Sequence, residues 1–156
     1  MLKRHGWIKL SGWWCWENSA MTAKTFFYPL VVKESYLDSF GHVNNAMYLT
    51  LFEEARWDLI TKNGYGLKKI QETGLGPTIL EIKVRFLKEL LLGEEIVIET
   101  KATAYDKKIG TLSQKMMRDG QVCCTAEFVV GLFSLAERKL VSATPEWLHA
   151  VGLSGE

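Results

Sequence analysis

Residues from about Asn45 to Lys62 (NAMYLTLFEEARWDLITK) contain no Gly or Pro, and Tyr48, Phe52, Ala55 and Leu59 recur at helical spacing. Met47, Leu49, Leu51, Trp57 and Ile60 spread apolar surface over most of the remaining circumference. That predicts a helix wrapped by other structure rather than one resting on a surface, with Gly64 as its stop. Upstream, KTFFYPLVVKE (Lys24 to Glu34) is rich in aromatic and β-branched residues and predicts a strand, in which Pro29 implies an edge or a bulge. Downstream, GLKKIQE (Gly66 to Glu72) suggests a short helix, after which the period changes to two. Leu80, Ile82, Val84 and Phe86 fall on one face of a strand, and Glu81, Lys83 and Arg85 on the other. Ile96, Ile98, Thr100, Ala102 and Ala104 repeat the pattern, and a further strand runs from about Ile109 to Arg118. Asp119-Gly120 is a two-residue hairpin signal into a last strand, whose inward face reads Val122, Cys124, Ala126, Phe128, Val130 and Leu132.

One strand, one buried helix and four strands joined by short turns predict an α+β fold, a long curved antiparallel sheet wrapped around one helix. At 156 residues the chain fits a single domain that needs no metal or disulfide staples. A net charge of +1, with 47% hydrophobic and 24% charged residues, argues against disorder and against a broad electrostatic grip on nucleic acid. The partner expected is a small molecule or another protein. No apolar run approaches the ~20 residues that cross a bilayer, so no membrane span and a cytoplasmic location are expected.

The three cysteines show no disulfide framework or metal-ligand spacing; Cys123 and Cys124 are neighbours in a strand, with side chains on opposite faces. The first twenty residues hold four of the six tryptophans and match nothing downstream. They read as an appended, poorly ordered tail, or as the product of a start codon assigned too early, ahead of a domain over residues 21–156. Lys9 and the bulky aromatics argue against a secretory signal.

The stretch DSFGHVNNAMYLTLFEEAR, from Asp38 to Arg56, crowds an acid, a glycine, a histidine and two asparagines onto the start of the long helix. Backbone N–H groups there have no partner inside the helix, and the helix dipole adds partial positive charge, so such an end stabilises a developing oxyanion. Asp38 lies close enough to face a carbonyl docked on those amides, and Gly41 allows a tight approach of backbone to ligand. A carboxylate beside an electrophilic helix end is a modest toolkit that suits an easily cleaved bond. Thioesters qualify, because a thiol of pKa about 8.5 departs without a strong general acid. Asp38 would act either as general base on water or as nucleophile.

Asp38-x-x-Gly41-His42-Val43-Asn44-Asn45-x-x-Tyr48, followed by Phe52-Glu53-Glu54-Ala55-Arg56, resembles the hot-dog thioesterases of the 4-hydroxybenzoyl-CoA thioesterase type. The likeness is closest to the bacterial branch acting on fatty and related acyl-CoAs. It covers roughly residues 24–148, including VRFLKELLLGEEI (Val84 to Ile96). The chain departs from the aromatic-substrate members, which carry apolar or aromatic residues at the positions of Asn44 and Asn45.

The resemblance implies a hot-dog fold and an acyl-CoA thioesterase, with an acyl-carrier-protein thioesterase or a non-catalytic acyl-CoA-binding module as alternatives. It implies that Asp38 is the catalytic acid and that the backbone N–H of Asn45 polarises the thioester carbonyl. Gly41, His42, Val43, Asn44 and Tyr48 would contact substrate. It further implies a homodimer, or a tetramer built as a dimer of dimers, with each active site between subunits and no metal or organic cofactor. Plainer readings stand beside these. Asp38 serves a turn, His42 orders the loop, an asparagine caps the helix, and Glu53 with Arg56 forms an ordinary helix pair. Lys83, Arg85 and Lys88 are either a solvated strand face or a contact for coenzyme A phosphates.

Overall fold

The computed structural model describes residues 7–10, 13–16 and 22–154. β1 (Trp7–Leu10) and β2 (Trp13–Trp16) pair as an antiparallel hairpin, and the rest of the N-terminal tail lies outside the described residues. The domain proper holds β3 (Thr22–Ala23), β4 (Thr25–Val31), α1 (Asn45–Lys62), α2 (Leu67–Thr73), β5 (Leu75–Phe86), β6 (Glu95–Asp106), β7 (Ile109–Arg118) and β8 (Gln121–Ser134). The chain closes with β9 (Lys139–Val141), α3 (Pro145–Ala150) and β10 (Leu153–Ser154). Five strands lie antiparallel in the order β4-β6-β7-β8-β5, and β9 pairs with the end of β8.

Pro29 sits in β4, an edge strand, where its missing N–H costs no ladder bond. Asp119 and Gly120 both adopt positive φ (48° and 75°), the conformation that the tight hairpin between β7 and β8 demands.

α1 begins as expected, with Asn44 as N-cap accepting from the Ala46 N–H at 2.9 Å. Tyr48, Phe52, Ala55 and Leu59 are all buried, together with Leu51 and Ile60, against the inner face of the sheet. Phe52 meets the Phe128 ring edge-on at 5.9 Å, and its full burial contributes about 2 kcal/mol. α3 closes the far end of α1: Asn63 Nδ2 donates to the Ala150 carbonyl at 2.9 Å, and Trp147 packs on Tyr65 while its Nε1 donates to the Tyr105 hydroxyl at 2.9 Å.

Every departure from the expected strand alternation falls at a β-bulge. The ladder between β5 and β8 shifts register between Ile79 and Glu81, so Leu80 leaves the inward row and is exposed, whereas Ile82, Val84 and Phe86 face inward across from Phe128, Ala126 and Cys124. The β6–β7 ladder shifts between Ala102 and Ala104, which turns Ala104 outward. The β7–β8 ladder shifts between Met116 and Met117, so Val122 pairs with Met117 on the outer side, and Cys123 and Cys124 are both buried. An extra residue in one strand inverts the faces beyond it and bends the strand.

A second correction concerns α1. Leu49 and Trp57 remain more than a third exposed, so the sheet covers the helix on one side only.

Candidate active site

Helix α1 points its N-terminus into a groove of about 450 Å³ lined by Asp38, Phe40, His42, Val43, Asn45, Tyr48 and the segment Phe86–Glu89. The loop that supplies the first four is pinned at both ends. Val43 N–H donates to the Leu90 carbonyl at 2.9 Å and Asn44 N–H to the Tyr36 carbonyl at 2.9 Å, while Leu37 bridges Val43 and His42 bridges Leu91. Within it, Asp38 and Gly41 form a tight turn: Gly41 N–H donates to the Asp38 carbonyl and Asp38 N–H to the His42 carbonyl, each at 3.0 Å. Gly41 holds φ at +81°, which explains the glycine, since a Cβ there would meet nothing within 4 Å.

Asp38 divides its carboxylate between two tasks. Oδ1 accepts from the Phe40 N–H at 2.9 Å, the turn-stabilising role of aspartate, and Oδ2 lies 3.5 Å from His42 Nδ1. His42 is stacked on Phe40, with ring centroids 5.8 Å apart, and so orders the loop while keeping one nitrogen towards the acid. The Ala46 and Met47 amides are taken by Asn44, whereas no acceptor among the described residues takes the Asn45 amide. That donor sits at the first position of an 18-residue helix, in the same groove as Asp38.

Tyr48, one turn further on, is buried edge-on to Phe86 at 5.1 Å. Burial, with Cys124 and Cys123 beside it, pushes its hydroxyl up to about 12, so it stays neutral and serves as wall rather than base.

Of the residues singled out from sequence, Asp38, His42, Val43, Asn45, Tyr48 and Lys88 line this groove, and Gly41 and Asn44 shape it from behind. Lys83 and Arg85 do not line it: alternation places them opposite Glu127 and Thr125 on the outer face of the sheet, with Lys83 Nζ 4.0 Å from Glu127. Lys88 is the basic residue at the groove, its Nζ donating to Gln121 Oε1 at 2.7 Å.

Two features escaped the sequence reading. The end of β5 brings Phe86 and Leu87 to the loop from a distant part of the chain, which no local pattern announces. Beneath α1 a buried polar chain runs from Arg56 Nη1 to Gln114 Oε1 (2.8 Å), and from Gln114 Nε2 to Thr100 Oγ1 (2.9 Å) and the Phe52 carbonyl (3.1 Å). Its signal was available, because Gln114 interrupts the inward row Leu112, Gln114, Met116.

The architecture defines a hot-dog protein with a groove at the N-terminus of its central helix. The sequence profile of the thioesterase-like superfamily matches residues 32–151, and the chain belongs to that family. It is 27% identical over 117 residues to the long-chain acyl-CoA thioesterase FadM of Escherichia coli, covering 74% of this chain and 88% of FadM. Among solved structures it resembles SAV2348 of Staphylococcus aureus, determined in complex with CoA, with a TM-score of 0.77 and 20% identity over 86% of this chain and 85% of that one. It also resembles the probable thioesterase YbaW of Escherichia coli, with a TM-score of 0.72 and 24% identity over 81% and 96% of the two chains. No helix among the described residues is long and apolar enough to cross a membrane.

Proposed function

We propose that this protein is an acyl-CoA thioesterase, hydrolysing fatty or related acyl-CoA to free acid and coenzyme A in the cytoplasm. The observation that carries the reading is the free Asn45 amide at the head of α1, set in one groove with the Asp38 carboxylate. The thioester carbonyl oxygen docks on that amide, where the helix dipole favours the negative charge that develops on it. Asp38 then takes a proton from water as its oxygen bonds to the carbonyl carbon, or attacks that carbon itself to give an anhydride that water opens. Either way the C–S bond breaks, and the thiolate, a good leaving group, departs and is protonated. Tyr48 and Phe86 line the first part of the acyl path, and Lys88 is the nearest cation for a coenzyme A phosphate. Family membership and the likeness to FadM and to a CoA-bound hot-dog protein support the same chemistry.

The working unit proposed is a homodimer formed by the domain over residues 21–156. Strand β5 is an open sheet edge whose inward side chains Ile79, Ile82 and Phe86 stay substantially exposed in one protomer, a surface that a second copy covers. Hydrolysis across a series of acyl-CoA chain lengths, read by thiol release with light scattering on the same sample, tests both statements. Absence of hydrolysis at every length sinks the enzyme reading in favour of an acyl-CoA-binding module, and a fully active monomer sinks the dimer.

A further inference from the structure

The chain concentrates its tryptophans in one place. Trp7, Trp13, Trp14 and Trp16, four of the six, fall within ten residues. β1 and β2 set them on a short antiparallel ribbon in which Trp7 pairs with Trp16, Ile8 with Cys15, Lys9 with Trp14 and Leu10 with Trp13. Lys9 is the one charged residue at those eight positions, so apolar residues occupy both faces of the ribbon. Among the described residues the ribbon pairs with no other strand and forms a sheet separate from the main one. A two-stranded ribbon alone is marginal in water and gains stability from a surface that covers it.

Charge and residue type point to the nature of that surface. The first twenty residues hold Lys3, Arg4 and Lys9 against a single carboxylate, Glu17, so this segment carries +2 whereas residues 21–156 carry −1. Tryptophan joins a ring that leaves water to an N–H that keeps a polar partner, a combination suited to the headgroup depth of a bilayer. Positive charge beside it suits an anionic leaflet. Each strand, four residues at ~3.3 Å, spans about 13 Å against a hydrocarbon core ~30 Å thick, so the ribbon is long enough to lie on a bilayer and too short to cross one. At that depth its unpaired edge N–H and C=O groups stay among hydrated headgroups, outside the hydrocarbon that would leave them unsatisfied.

We propose that the N-terminal Trp-rich ribbon is a lipid-docking element that seats the protein on anionic bilayer surfaces. Docking stands apart from the thioesterase chemistry, because none of these residues lines the groove at Asp38. Where both hold, the ribbon brings the groove to a surface into which the hydrocarbon chains of acyl-CoAs insert.

The test is flotation of the full chain with vesicles of phosphatidylglycerol and phosphatidylcholine in equal parts, beside vesicles of phosphatidylcholine alone. The parent is expected to partition at least ~10-fold more strongly to the anionic vesicles and to lose most of that preference at about 0.5 M salt. Lys3→Glu, Arg4→Glu and Lys9→Glu, combined in one full-length protein, should abolish the preference. Trp7→Ser, Trp13→Ser, Trp14→Ser and Trp16→Ser, combined in another, should lower partitioning to the anionic vesicles at least ~10-fold. Thiol release from a short-chain acyl-CoA in vesicle-free buffer should stay within a few-fold of the parent in both, with an unchanged melt. Should the tryptophan variant fail to fold, the charge variant and the salt response of the parent decide the matter. A parent that floats with neither vesicle, that floats equally with both, or that floats no better than its tryptophan variant overturns the proposal and leaves the thioesterase reading in place. A parent that floats with neither, while light scattering finds a smaller oligomer for the tryptophan variant, assigns the ribbon to a protein contact instead. Vesicle binding as expected, without thiol release from any acyl-CoA, sinks the thioesterase reading and leaves lipid docking intact.

Discussion

Replacing Gln114 with Met tests whether the buried polar chain, rather than apolar contact alone, fixes α1 on the sheet. Gln114 is fully buried, and its amide serves three partners: Arg56, Thr100 and the Phe52 carbonyl. Methionine matches its length but offers none of these bonds. The Phe52 carbonyl keeps its intrahelical N–H, so its loss is small. The Thr100 hydroxyl, itself buried, and the Arg56 donor are left without their partner, which costs roughly 1–3 kcal/mol for the hydroxyl and about 1 kcal/mol for the less deeply buried cation. Burying an apolar side chain in place of an amide returns about 1 kcal/mol. The net expectation is a loss of about 1–3 kcal/mol from a stability on the order of 5–15 kcal/mol. In urea this lowers the midpoint by about 0.5–1.5 M at unchanged slope. A double-mutant cycle with Thr100→Val should return a coupling of at least ~0.5 kcal/mol. If Gln114→Met is as stable as the parent or more so, the polar chain is not what holds the helix, and apolar packing alone would account for its position.

Two further outcomes follow from the geometry. Gly41→Ala meets no steric obstacle but forces φ +81° on a residue with a Cβ, at a cost of about 1–2 kcal/mol; turnover should fall further than stability, because the strained turn carries Asp38, and parent kinetics in the Gly41→Ala protein would contradict this. Glu94 takes Arg118 Nη1 on both oxygens (2.7 and 2.8 Å) and the Leu91 N–H at 2.9 Å; partial burial would by itself raise its pKa, but these bonds outweigh it and hold the carboxyl below its ordinary value. A depressed carboxylate contributes stability above its unfolded pKa and loses it as pH falls through the folded one, so Glu94→Gln should cost about 0.5–1 kcal/mol near neutrality and nothing at strongly acidic pH. Denaturation midpoints that differ equally at both pH values would refute the assignment.

Much of this fold was legible because local signals agreed with one another. The long helix carries a cap at Asn44, an uninterrupted helix-favouring run and a glycine stop, and it spans Asn45–Lys62 as expected. Asp119-Gly120 announced its hairpin for the same reason, since few residues accept positive φ in succession.

The misplaced side chains, Leu80, Ala104 and Val122, share one cause. A bulge inserts a single residue without altering composition, and periodicity then assigns the following positions to the wrong face. Asp38, His42, Asn45 and Tyr48 could be gathered from the sequence because they belong to one loop and one helical turn. The wall formed by Phe86 and Leu87, and the seat of Arg56 on Gln114, depend on strand pairing between distant segments and became visible only in three dimensions. Lys83 and Arg85 show the reverse case: alternation correctly set them apart from the apolar row, and that same alternation carries them to the outer face, away from the groove.

The proposed chemistry stands or falls on Asp38. In Asp38→Asn the amide oxygen can still accept the Phe40 N–H, so the turn and the fold are retained while the charge is removed. Acyl-CoA turnover, followed by thiol release with a melting curve on the same sample, should fall by at least ~10²-fold with the melt unchanged and KM little altered. Hydrolysis by Asp38→Asn within a few-fold of the parent would contradict the mechanism and leave Asp38 as a residue of the turn.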